Sequence, residues 1–178
     1  MSREVAVFRA VFVRHGGKQP TEGRLEYDVS LDRAELGLAA VVKKELHRRG
    51  IPPLLWVCSH FAHCWQTADV LAGSDARVVR VSGLTPFSAS EGATLRSILN
   101  ELGRLEVPVQ GMDCIGVVGH EERLSNLLNT LHSGPRIPPL ERLEAVSVIA
   151  NSLYDLDRGQ GQIECRLKRP TLASRASG

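Results

Sequence analysis

The feature that most constrains this chain is an alternation. Short apolar runs of about five residues take turns with longer segments whose apolar residues recur every three or four positions. The stretch ahead of Arg14, which includes Ala6, Val7, Phe8, Val11, Phe12 and Val13, reads as a buried strand, as do "LLWVC" at 54–58 and "IGVVG" at 115–119. "ARVVRV" reads as a strand nearer an edge, because its arginines alternate with valines, and "IGVVG" as a central one. Alternating strands and helices predict an α/β class, here a single-domain three-layer α/β/α sandwich around a mostly parallel sheet. A chain of 178 residues has the length of one such domain. Residues 1–170 are expected to form it, and the small, polar "TLASRASG" at 171–178 to be a disordered tail.

The helices carry their own signals. Over "SLDRAELGLAAVVKKELHRRG", Asp32 is a cap and Glu35 completes a box-like start, while Ala34, Leu38, Val42 and Leu46 form an apolar row. Gly50 and Pro52 stop that helix. "HCWQTADVLAG" ends at Gly73, with Trp65, Val70 and Leu71 as core residues. "TLRSILNELGRLE" puts Leu95, Ile98, Leu99, Leu102 and Leu105 on one face, and "LSNLLNTL" aligns Leu124, Leu127, Leu128 and Leu131. "HSGPRIPPLERLE" is a loop that its prolines keep extended. "VSVIA" and "QIECRL" predict a closing hairpin around the turn "DLDRGQGQ".

Composition removes several classes of function. With 43% hydrophobic and 24% charged residues the chain is an ordinary soluble globular protein. A net charge of +2 and few aromatics argue against nucleic-acid binding. No stretch has the length of a membrane span, and the start lacks the uninterrupted apolar core of a signal peptide. Cys58, Cys64, Cys114 and Cys165 follow no framework spacing, so a reduced, cytoplasmic protein is expected. The basic end "RLKRPTLASRASG" reads as a solvated strand and tail, with electrostatic steering of an acidic phosphoprotein as the sharper alternative.

Three strand ends break into unusual chemistry. Val13 runs into Arg14-His15-Gly16, Val57 into Cys58-Ser59-His60, and Val118 into Gly119-His120-Glu121. In open α/β sheets the functional crevice lies beyond the carboxyl ends of the strands. Parallel neighbours would bring Arg14, His15 and His120 together beside the start of the helix that contains His63. Imidazoles, a guanidinium and a helix N-terminus suit a phosphate, and an imidazole can attack phosphorus.

The segments "VRHGG", "CSHFAHCWQTA" and "VVGHEERL", in that order, resemble the signature segments of the histidine phosphatase superfamily in its phosphoglycerate-mutase-like branch. The compact SixA-type phosphohistidine phosphatases look most similar. The resemblance extends through "SLDRAELGLAAV", "GLTPFSASEGATLRSILNEL" and "AVSVIANSLYDLDRGQGQIECRLKRP", nearly the whole chain. It implies a phosphoglycerate-mutase-like fold and a phosphatase with His15 as the phosphorylated nucleophile, Arg14 gripping phosphoryl oxygens and His120 donating to the same group. Gly16, Lys18, His63 and Glu121 are the implied or candidate substrate contacts. The implied partner is a phosphorylated small molecule or phosphoprotein, including a histidine-phosphorylated domain. No cofactor and no resident metal are implied.

The pattern is broken in places. The second segment normally reads Ser-Pro-x-x-Arg-Ala-x-Gln-Thr-Ala, and His63 stands where its arginine belongs. A histidine is only partly charged near neutral pH, so a weaker or pH-dependent pocket is expected, with Lys18 as a nearby source of charge. Glu35 replaces an expected helix-start glycine. Glu91 and Glu121 are the candidates for a leaving-group acid, each also readable as a surface or capping residue. The lack of a clear acid fits a phosphohistidine substrate, whose imidazole leaves more easily than an alkoxide. Two metal readings also stand. Cys58, His60, His63 and Cys64 are ligand types, but the strand-to-helix turn aims them apart; His15, His63 and His120, if they converge, make an adventitious and inhibitory zinc site. From a different functional class, a weak or inactive relative that binds phosphorylated ligands competes with the enzyme.

Overall fold

The structure is a computed structural model that describes residues 7–86 and 94–171. Its strands are β1 (Phe8–Arg14), β2 (Leu55–Cys58), β3 (Arg77–Arg80), β4 (Cys114–Gly119), β5 (Ala145–Ala150) and β6 (Gln162–Leu167). They form one six-stranded sheet in the order β3-β2-β4-β1-β5-β6. The first four in that order are mutually parallel, whereas β5 runs antiparallel to β1 and β6 antiparallel to β5. β4 lies inside the sheet and β3 at its edge, as the apolar content of each predicts.

Period-two alternation makes the three layers. On β1, Ala10 and Phe12 face one core, shared with Ile98 and Leu102 of α3 (Leu95–Arg104) and Leu124 and Leu128 of α4 (Glu121–Leu131). Val11 and Val13 face the other, shared with Leu38 and Val42 of α1 (Arg33–Arg48) and Ala68 and Leu71 of α2 (Ala62–Ala72). A strand buried on both faces reads as a near-continuous apolar run, which is why β1, broken only by Arg9, β2 and β4 are legible as such. Gly116 of β4 is required by close approach. It pairs in register with Trp56 of β2, and a Cβ there would stand 2.2 Å from the indole ring.

Several local expectations change. Asp32 caps α1 by accepting from the Ala34 N–H at 2.8 Å, but Glu35 does not reach back to it. Instead Glu35 turns inward to Arg169. The buried stripe of α1 is Glu35, Leu38, Ala39, Val42 and Leu46, which leaves Ala34 exposed; the 3.6-residue period runs one position later than an Ala34 start. A full capping box occurs on α3, between Thr94 and Ser97. Leu105 falls past the end of α3 and is exposed, and Leu99 is only partly buried. β5 and β6 do pair antiparallel, yet their connection holds a short helix, α5 (Leu153–Asp157), capped by Ser152. Among the described residues no helix is long and apolar enough to cross a membrane. The expected tail past Thr171 and the candidate acid Glu91 lie outside the described residues.

Candidate active site

The parallel register brings the three strand ends level. Arg14 pairs with Gly119, and both Cys58 and Val13 lie opposite Val118. Backbone bonds extend the ladder one residue further, from the His15 N–H to the Gly119 carbonyl and from the Ser59 N–H to the Val118 carbonyl. His15 and His120 therefore leave the sheet side by side, and α2, starting two residues after His60, brings His63 over them. The ring centroids of His15 and His63 are 4.4 Å apart, those of His15 and His120 5.0 Å, and those of His63 and His120 5.4 Å. Phe61 closes one side, with its ring 4.8 Å from that of His120. His15 and His63 are buried, so His63 is not the exposed first-turn residue that its place on α2 also allowed.

The ring nitrogens are oriented by carbonyls. A carbonyl only accepts, so His15 Nδ1 carries the proton in its 2.6 Å bond to the Gly16 oxygen, and His63 Nδ1 carries it in its 3.0 Å bond to the Val29 oxygen. In both neutral rings Nε2 is left with a lone pair. Gly16 is further held by its N–H, which donates to Thr67 Oγ1 at 3.2 Å, while that hydroxyl donates to the His63 carbonyl at 2.7 Å. Gln66 of the same helix accepts from the Leu31 N–H at 2.6 Å. Gly16 thus positions His15 from within the protein. Its missing Cβ faces Leu31 and Glu35 at 2.7 and 3.0 Å, so close packing there requires the glycine.

Burial dominates the electrostatics. It holds His15 well below its ordinary range, aided by the charges His63 and His120 would carry and opposed by the Gly16 bond. Burial also lowers His63, and it pushes His120 down to about 4 with help from His63. Burial drives the Cys64 thiol well up. The site at neutral pH is three uncharged imidazoles beside a protonated thiol.

Cations ring this centre. Arg14 donates from Nη1 to the Leu140 carbonyl at 2.7 Å, and its buried Nε has no partner. Arg142, which sequence reasoning missed, has Nη1 3.3 Å from the position of a Cβ on Gly17; burial lowers Arg14 and His63, and the Arg142 charge adds to both. It arrives because β5 pairs beside β1: the Arg14 N–H donates to the Glu144 carbonyl, and the Arg14 carbonyl accepts from the Leu143 N–H. No local spacing in "LERLE" announces this. Lys18 is occupied by an ion pair with Glu26, so its charge is largely compensated. Glu26, also missed, lies close enough to favour the charged forms of His63 and His120. Glu121 sits at the start of α4, accepts from Ser125 Oγ at 2.9 Å, and favours the charged form of Arg14.

Of the two metal readings, Cys58 and His60 do not join: Cys58 belongs to the core under α2 and His60 is exposed. His15, His63 and His120 do converge, and Cys64 joins them, with Sγ 3.5 Å from His120 Nε2.

The chain matches no family model and no curated protein. Solved structures do match. A protein from Nakamurella multipartitia assigned as a SixA phosphohistidine phosphatase superposes with a TM-score of 0.72 at 17% identity, over 93% of this chain and 98% of that one. The protein histidine phosphatase SixA, solved with tungstate, gives 0.71 at 16% identity over 91% and 97%. A mycobacterial glucosyl-3-phosphoglycerate phosphatase gives 0.63 at 16% identity over 93% and 100%. The chain has the fold that these histidine phosphatases share.

Proposed function

We propose that the chain is a phosphatase that passes a phosphoryl group from its substrate to His15 and then to water, with a SixA-like preference for protein phosphohistidine. One observation carries the reading. The His15 Nδ1 proton is committed to the Gly16 carbonyl, so the Nε2 lone pair is the free nucleophile, at the carboxyl end of β1 beside Arg14. In the first step the Nε2–P bond forms as the bond from phosphorus to the leaving nitrogen or oxygen breaks. A leaving imidazole departs with its electron pair and takes a proton from solvent. In the second step water attacks phosphorus, the electron pair returns to Nε2, and the water's proton passes to solvent, while His120 donates to the phosphoryl oxygens.

The unpartnered Arg14 Nε and the Arg142 guanidinium supply the grip on the phosphoryl oxygens. A bound dianion raises the proton affinity of His63 and His120, which burial holds down, and turns both into donors. Glu121 lies next to Arg14 and tunes it. The four free cysteines support a reducing compartment such as the cytoplasm. One observation favours a second reading, a protein that binds phosphorylated ligands without turnover: neutral His63 offers a lone pair, not a proton, to an anion.

The test is to incubate the protein with phosphohistidine peptide or p-nitrophenyl phosphate, quench it, and measure acid-labile, alkali-stable phosphate on the chain. The reading expects labelling and phosphate release by the natural sequence and neither in His15→Ala. Retained tungstate binding with no release and no label selects the binding protein.

A further inference from the structure

The geometry points to a zinc site formed by His15, His63, Cys64 and His120, whose occupation blocks the nucleophile. One ligand atom from each of the four lies within 4.8 Å of every other. A tetrahedral zinc with bonds of about 2.0 Å to nitrogen and about 2.3 Å to sulfur needs edges of about 3.3–3.6 Å. The Cys64–His120 edge already measures 3.5 Å. The other edges, none above 4.8 Å, exceed the requirement by at most about 1.5 Å, a closure that ring rotations supply.

Two further features belong to metal sites. First, the outer nitrogens of His15 and His63 each donate to a backbone carbonyl, which fixes the tautomer that leaves Nε2 as a ligand. Second, three of the four ligands are buried, Cys64 at 0%, His63 at 1% and His15 at 8% exposure, and only His120 is partly open to solvent. Four ligand atoms packed this closely suit a single ion. A phosphoryl group, by contrast, needs donors about 2.8 Å from oxygens that are themselves spread around phosphorus. One thiolate with three imidazoles favours Zn²⁺ over Mg²⁺ or Ca²⁺, which prefer oxygen.

Binding forms three Zn–N bonds and one Zn–S bond, and the Cys64 thiol proton passes to solvent. Four protein ligands close the coordination shell, so no position remains for a substrate. The cation site stands independently of the phosphatase reading. Its consequence, reversible inhibition, rests on that reading.

The experiment uses the whole 178-residue chain after chelator treatment. Zn²⁺ is titrated against a chromophoric chelator, and Co²⁺ is added as a spectroscopic probe. The expected result is one Zn²⁺ per chain and a Co²⁺ spectrum with strong tetrahedral d–d bands plus a thiolate charge-transfer band; Mg²⁺ gives neither competition nor spectrum. Cys64→Ala loses the charge-transfer band and weakens Zn²⁺ by ~10-fold or more, and His63→Ala weakens it while keeping the band. Circular dichroism of both variants reports that they are folded. Absence of stoichiometric uptake, or affinity unchanged in both folded variants, overturns the site. Phosphate release is then measured with and without Zn²⁺. Release that one equivalent of Zn²⁺ leaves untouched overturns the inhibition. Failure of all release alongside an intact Co²⁺ spectrum strikes the phosphatase reading and leaves the metal site standing.

Discussion

His63 Nδ1 donates to the Val29 carbonyl at 3.0 Å, and this single bond leaves Nε2 as the unprotonated nitrogen of a ring whose centroid is 4.4 Å from that of His15. A neutral ring held this way cannot donate to a phosphoryl oxygen until it takes up a second proton. His63→Arg replaces it with a permanent, bidentate donor. A hydrogen bond to a charged group is worth about 1.5–3 kcal/mol, so kcat/KM for p-nitrophenyl phosphate should rise by about 10- to 100-fold at neutral pH. The acid-side preference of the natural sequence should flatten at the same time. Steady-state rates across about pH 5–8 check both, and a fall in kcat/KM in the folded variant would count against His63 as the weak point of the pocket.

The imidazole cluster also fixes a pH dependence of folding. His120 titrates near 4 in the folded chain, because it is buried and faces His63, Lys18 and Arg14, with Glu26 opposing. In the unfolded chain it titrates near 6.5. Between those values the unfolded state binds more protons, so stability is full above about pH 6.5 and is lost as pH falls toward 4. His120 alone accounts for roughly 3 kcal/mol across that window, and His15 and His63 act in the same direction. Urea unfolding of chelator-treated protein at about pH 7.5, 6 and 5 should show the decline. His120→Asn should make it shallower; an unchanged slope would refute this assignment.

Thr67 joins the His15 loop to α2, accepting from the Gly16 N–H and donating to the His63 carbonyl. Thr67→Val keeps the shape and strands the buried Gly16 N–H, at a cost of about 1–3 kcal/mol. Because Gly16 holds His15 Nδ1, turnover should fall by ~10-fold or more through misplacement, mainly in kcat. Thr67→Ser retains the hydroxyl and should recover most of both. Equal loss of turnover in the two variants would mean that the methyl, not the hydroxyl, carries the effect.

These relationships explain what a reader of the sequence can and cannot see. The sheet is legible because β1, β2 and β4 are buried on both faces and so read as apolar runs, that of β1 interrupted only by Arg9. His15 and His120 are legible because each stands two residues past the last valine of such a run. Arg142 and Glu26 are not: each sits in a connecting segment, and only long-range pairing, β5 with β1 or the packing of the 3-10 turn Glu26–Asp28 on α2, brings it to the site. Cys64 is read among ligand types at the wrong grouping. The strand-to-helix turn separates it from Cys58 and His60 and hands it to His120. The α5 connection escapes because "DLDRGQG" has turn composition, and only the Ser152 cap marks a helix there.

Glu35 is where the helix stripe and the site loop meet, and it can be tested by a cycle. Its carboxylate is buried at 7% exposure, Oε1 pairs with Arg169, and Oε2 has no partner. Gly16 and Gly17 both pack against this side chain, so its position sets how the His15 loop rests on α1. Arg169→Ala leaves a charge buried and unpaired. Full burial of both partners would cost 3–5 kcal/mol, and the partly exposed guanidinium lowers the expected loss to about 2 kcal/mol. Glu35→Ala frees an arginine that solvent can reach and should cost less. The double variant should sit near Glu35→Ala, giving a coupling of about 2 kcal/mol by denaturant unfolding. Arg169→Ala should also lower kcat, since a displaced Glu35 carries the glycines with it. A coupling below about 0.5 kcal/mol would place the pair among solvent-screened surface ion pairs and remove Arg169 from the support of the site.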